Sequence, residues 1–82
     1  MDDYNGWKNR ATWNAALWIN NDYELYTAAV AFMKAYTGST PYKAFIDQRR
    51  LTKAKTPDNI AWISPQMDIP ALDEMLRELI DG

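Results

Sequence analysis

The 82-residue chain contains neither cysteine nor histidine. The first absence excludes disulfides and thiolate metal sites. The second removes the commonest general base, the usual pH switch and the commonest metal ligand together. Glycine is scarce, and no phosphate-cradling loop, nucleophile elbow or metal-spaced cluster occurs in the sequence. No apolar run approaches the roughly 20 residues of a membrane span. The start, Met1-Asp2-Asp3, is acidic, the wrong sign for a secretory signal. Carboxylates are the remaining acid–base candidates. Asp73 and Glu74 are adjacent, so they point about 100° apart on a helix, on what reads as its wet face. No apolar pocket is implied that would raise either pKa. The expectation is a cytoplasmic protein that is not an enzyme, holds no cofactor or metal, and does not enter a membrane.

Apolar bulk is what the chain does have. A domain of this size buries only about 60% of the surface its unfolded form exposes, so its core must be dense. With 48% of residues apolar, four Trp and five Tyr, the composition supplies that density. Trp13, Trp18 and Trp62 sit among apolar neighbours and are expected in the core, whereas Trp7 is the best candidate for exposure. Charge is unevenly spread. Residues 1–40 carry a net −1, residues 41–57 a net +4 and residues 58–82 a net −5.

The pattern predicts one mainly α domain over residues 1–82, with three to four helices and an N-terminal arm over 1–8. The first helix is expected over 10–20, capped by Asn9, with apolar residues on two sides and therefore central. Asn21 and Glu24 read as a capping box for a second helix over about 22–37, closed by Gly38. Thr40-Pro41 starts a third helix that runs to about Arg50. Residues 59–63 form a short apolar segment between turns. Pairing of that segment with the arm through Tyr4 and Trp7 would make a minimal hairpin and an α+β fold. Asp68 caps a strongly amphipathic last helix over 69–81.

The run Trp7-Lys8-Asn9-Arg10-Ala11-Thr12-Trp13-Asn14-Ala15-Ala16-Leu17-Trp18-Ile19-Asn20-Asn21-Asp22 resembles a family of small uncharacterised proteins encoded by bacteriophages, with a pattern like N-R-x-T-W-N-x-A-L-W-I-x-N-D. Thr56 to Trp62 and Leu72 to Leu76 resemble that family's tail. A glycine often follows the aspartate there; Asn59 stands in its place here, and Asn tolerates a left-handed backbone better than most residues. The resemblance implies a phage or mobile-element origin and action in the host cytoplasm, but no activity and no catalytic residue.

Two readings of Asn9-Arg10-x-Thr12-Trp13-Asn14 compete. Arg10 and Asn14 beside Trp13 could form a contact surface, since Arg and Trp favour binding hot spots. The same residues could instead form a capping network in which Asn14 ties a loop to the helix. Lys43, Arg49, Arg50, Lys53 and Lys55 could touch phosphate or form a solvated face pairing with the acidic last helix. That helix, 68–81, could instead imitate DNA. The favoured function is binding of a host protein or defence complex and its modulation by surface occlusion. The candidate contact residues are Trp7, Arg10, Asn14, Tyr23, Arg49 and Arg50. The alternative is a nucleic-acid binder using 43–55, and a homodimer is also compatible with the charge pattern.

Overall fold

The structure, a computed structural model, describes residues 6–81. Tyr4, and with it residues 1–5 of the expected arm, lies outside the described residues. Among those described, four helices account for the regular structure, and the fold is mainly α as the pattern predicts.

Helix α1 spans Arg10–Asn21. Asn9 starts it from an extended backbone, and its side-chain oxygen accepts the Thr12 amide at 3.0 Å. Helix α2 spans Tyr23–Ala35 with no loop between. Asp22 alone forms the joint. Its amide donates to the Trp18 carbonyl at 3.0 Å, closing α1, and its carboxylate accepts the Leu25 amide at 3.0 Å, opening α2. The expected capping box on Asn21 is therefore one residue out of place. Asn21 is still helical, and its amide folds back onto the Leu17 carbonyl at 2.9 Å.

The end of α2 also departs from expectation. The helix stops at Ala35, and Tyr36 follows in an extended conformation. Gly38 does not adopt a left-handed φ, so it is not a helix-closing glycine. Its lack of a side chain serves a different end: a Cβ there would run into the Tyr36 phenol. That phenol stacks through its ring on Phe32, with centroids 4.9 Å apart, and its oxygen accepts the Thr40 amide at 3.1 Å.

Helix α3 spans Pro41–Gln48, two residues shorter than predicted. Thr40 makes no side-chain cap. The cap comes from 31 residues away, where Asp73 Oδ1 accepts the Tyr42 amide at 2.8 Å. Asp73 is thus buried, not on the wet face where the amphipathic pattern puts it. The helix closes in a Schellman turn, with the Arg50 amide on the Asp47 carbonyl and the Leu51 amide on the Ile46 carbonyl, both at 2.9 Å. This turn requires a left-handed residue, and Arg50 fills it at φ 61°.

The chain then runs without regular structure until α4, Ile69–Asp81. Asp68 caps α4 through the Ala71 amide at 3.2 Å, as predicted. Within the irregular stretch a single antiparallel bridge joins Lys55 to Ala61. The extended segment near 59–63 therefore finds a partner in Lys55, six residues upstream of Ala61, while the expected pairing through Tyr4 lies outside the described residues. Asn59 turns the chain between the two at φ 65° and stands where a left-handed residue is needed.

α2 and α4 each pack on all three other helices and together form the centre of the fold. The sequence pattern assigns that place to α1. In the structure α1 lies between α2 and α4 on one side and the irregular 51–68 segment on the other, which is why it is apolar on two sides. The core joins Ala15, Ala16 and Ile19 of α1, Ala29 and Met33 of α2, Tyr42, Phe45 and Ile46 of α3, Leu72 and Leu76 of α4, and Trp62 and Met67 of the irregular stretch. Full burial of a Phe- or Ile-sized side chain contributes about 1.5–3 kcal/mol, so the eight residues of α3 are held mainly by Tyr42, Phe45 and Ile46. The Tyr42 hydroxyl donates to the buried Trp62 carbonyl, and burial pushes its pKa well above the usual tyrosine range. Of the three tryptophans expected in the core, only Trp62 is fully enclosed; Trp13 and Trp18 are half-buried. A thin core cannot wrap every indole, and the Trp18 ring is drawn outward to place its N–H on a carboxylate.

Candidate functional site

The Asn9–Asn14 motif resolves into a clamp on the 51–68 segment. Asn9 Oδ1 accepts the Thr12 hydroxyl at 2.7 Å, and Asn9 Nδ2 donates to the Gln66 carbonyl at 2.7 Å. The Thr12 oxygen in turn accepts the Asp68 amide at 3.0 Å. One helical turn further, Asn14 Nδ2 donates to Asp58 Oδ2 at 2.7 Å, and Asn14 Oδ1 accepts the Thr56 hydroxyl at 2.7 Å. Trp18 Nε1 donates to the same Asp58 oxygen at 2.9 Å. Four side chains at helical spacing thus hold both ends of a segment with no ladder of its own. Hydrogen bonds from Asn14 and Trp18, with the charge of Arg10 adding to them, hold the Asp58 pKa below the usual carboxylate range.

This geometry corrects one candidate contact residue. Asn14 is fully buried and is not displayed to a partner. The polar reading of the motif as a surface fails for Asn14 and Thr12, because both amide and hydroxyl are engaged inside the molecule. Arg10 does reach the surface, beside a shallow hollow lined by Asn9, Asn59, Ile60, Ser64 and Gln66. Trp7 is half-buried against the core and lies beside Ala71, Glu74, Met75 and Glu78 on α4. Tyr23 is 81% exposed at the start of α2, which makes it the most displayed aromatic among the described residues.

Arg49 and Arg50 are both exposed, and Arg49 borders an open groove between α2 and α3. Ala28, Ala31 and Ala35 form one wall at helical spacing, the stacked Phe32 and Tyr36 form the floor, and Gln48 and Arg49 close the far side. Phe32 is also tilted against Phe45 of the core at 5.5 Å, so the floor is packed directly on the core. The volume, about 490 Å³, falls within the range of small-molecule pockets. The walls come from two helices only, so the groove suits a protruding side chain better than an enclosed ligand. Sequence reasoning missed it, because Phe32 and Tyr36 belong to the core stripe of α2. The signal was the neighbouring alanine spacing at 28, 31 and 35, which leaves the edge of that stripe unfilled.

The basic stretch does not pair with the last helix. Lys43, Arg49, Arg50, Lys53 and Lys55 are exposed, and among the described residues none forms an ion pair. The ion pair that does occur lies within α4, between Arg77 and Glu74 at 3.5 Å. Of the acidic residues in the last helix and its cap, Asp68 and Asp73 are engaged as helix caps, leaving Glu74, Glu78 and Asp81 on the surface. Among the described residues no cluster of three or more carboxylates could hold a metal ion, and no helix is long and apolar enough to cross a membrane.

No curated protein and no solved structure matches the chain. The sequence does match one family over residues 1–81, nearly its whole length and including both the 9–18 clamp and the 56–60 turn it holds: the chain belongs to the DUF7249 family, a family of unknown function.

Proposed function

We propose that this protein binds another protein through the α2–α3 groove and acts by covering the surface it engages. The observation that carries the reading is the juxtaposition of an apolar groove, floored by stacked rings, with the exposed Arg49 guanidinium, which forms no ion pair among the described residues. Arg and aromatic residues at the edge of an apolar recess are the usual anchors of protein interfaces. The matching surface would present an apolar side chain ringed by carboxylates. In keeping with the resemblance of its 7–22 run, we assign the protein to bacteriophages, its partner to the host, and its place of action to the host cytoplasm. The reading includes no catalytic step.

The test is capture from bacterial lysate with the wild-type chain and with Ala31→Arg, which fills the groove from an exposed position. A protein retained by the first and lost by the second supports the reading. Background proteins alone on the wild-type chain count against it.

A second reading is favoured by the five exposed cations of 43–55, which would neutralise phosphate. Binding of single-stranded DNA with a steep salt slope, lost on Arg49→Ala plus Arg50→Ala, would select it. Imitation of DNA by α4 is weakened, because two of the carboxylates it needs are turned inward as caps.

A further inference from the structure

We infer that a second copy of this chain occupies the groove, presenting to it the face of α4 that carries Glu74, Glu78 and Asp81 beside Trp7. The inference rests on the groove assigned above, and names self-association as a use of it.

The argument begins with charge. The basic groups around the groove and the acids of α4 belong to one molecule but do not meet within it. Glu74, Glu78 and Asp81 recur at i, i+4 and i+7, which places them on one stripe of the helix. Trp7 and the half-buried Met75 border that stripe and supply its apolar part. Opposite signs and matching apolar components are therefore displayed on two faces of the same chain, which is the complementarity that fixes register between partners.

The α4 face also carries a local cost that a cationic partner would offset. Glu78 and Asp81 sit in the last turn of α4, where the helix dipole disfavours negative charge. Arg50 holds a left-handed backbone that glycine would adopt without penalty. A side chain retained there keeps a second exposed cation adjacent in sequence to Arg49, which borders the groove. Trp7 approaching Arg49 would add cation–π attraction to the ion pairs.

The test is sedimentation velocity of the purified chain with two charge-reversed variants, Arg49→Glu plus Arg50→Glu and Glu78→Lys plus Asp81→Lys. All substituted positions are exposed, and far-ultraviolet circular dichroism checks that each variant folds. The wild-type chain is expected to self-associate at about 0.1 M salt. The association should weaken about tenfold or more at ~1 M, where the screening length falls from about 10 Å to about 3 Å. Each folded variant alone is expected to be monomeric, and an equimolar mixture of the two to associate again, since reversal on both sides restores the attraction. A wild-type chain that stays monomeric at low salt overturns the inference, while leaving the lysate capture to decide the groove's use for another protein. Association that survives either reversal, or a mixture that stays monomeric, overturns it equally.

Discussion

Asn14→Ala removes a fully buried side chain whose two polar atoms both have partners. The bond from Thr56 lies in the interior, where a neutral hydrogen bond contributes about 0.5–1.5 kcal/mol and an orphaned donor costs about 1–3 kcal/mol. Thr56 is itself 4% exposed, so water cannot readily replace the lost acceptor. The cavity left by the amide adds to this, and the sum is about 3 kcal/mol. A chain of this length has a total stability of roughly 4–12 kcal/mol, so the variant loses a large share of it. The melting temperature should fall by roughly 12–24 °C. Urea unfolding followed by tryptophan fluorescence and by circular dichroism measures the loss, with Thr56→Val and the double variant completing a cycle. Thr56→Val removes the donor that Asn14→Ala strands, so the double variant should be less destabilised than the sum by about 1 kcal/mol. A loss below about 1 kcal/mol for Asn14→Ala, or additivity within about 0.3 kcal/mol, would refute the clamp.

Three further outcomes follow from the same structure. Arg50→Gly should raise stability by about 1 kcal/mol in urea unfolding, because the Schellman turn needs the left-handed φ that Arg50 now holds at a cost; a less stable variant would contradict this. Asp58 has its pKa lowered by the hydrogen bonds of Asn14 and Trp18 and by Arg10, so its contribution is present above the ordinary carboxylate pKa near 4 and is lost as pH falls through the lowered value; melting temperature against pH should show a shallower acid limb in Asp58→Asn. Tyr42, whose pKa is raised by burial, favours the folded state below the ordinary phenol pKa near 10 and opposes it as pH rises beyond; ultraviolet titration should show its phenol ionising only as the protein unfolds, and a reversible ionisation of all five tyrosines near pH 10 would contradict that.

The helices and several of their limits were legible because their signals are local. Asn9, Pro41 and Asp68 act within three or four residues of themselves, and the structure places each where its chemistry predicts. The Asn59 turn was legible for the same reason. The joint at Asp22 was ambiguous by one residue, since Asn21 and Asp22 are both good capping types and only the backbone decides between them. Asp73 could not be read at all: its partner is the Tyr42 amide, and helical periodicity puts it with the solvated residues around it. The motif at 9–14 left open whether its polar atoms face solvent or a loop, because a capping amide and a contact amide look alike until the loop's position is known. The groove was hidden by its own floor, since Phe32 and Tyr36 satisfy the core pattern while still lining a surface.

The carboxylate of Asp73 has a consequence for the order in which the molecule can be assembled. Eight residues are too few to persist as a free helix in water, and α3 begins with a proline and closes on a left-handed arginine. Its first available amide is answered only by a group contributed 31 positions later. The Pro41–Gln48 stretch therefore gains this cap only when α4 is docked, so that helix completes its predecessor as well as itself. The coupling runs backward along the polypeptide, and a chain interrupted before residue 73 would forfeit the cap of α3 together with α4.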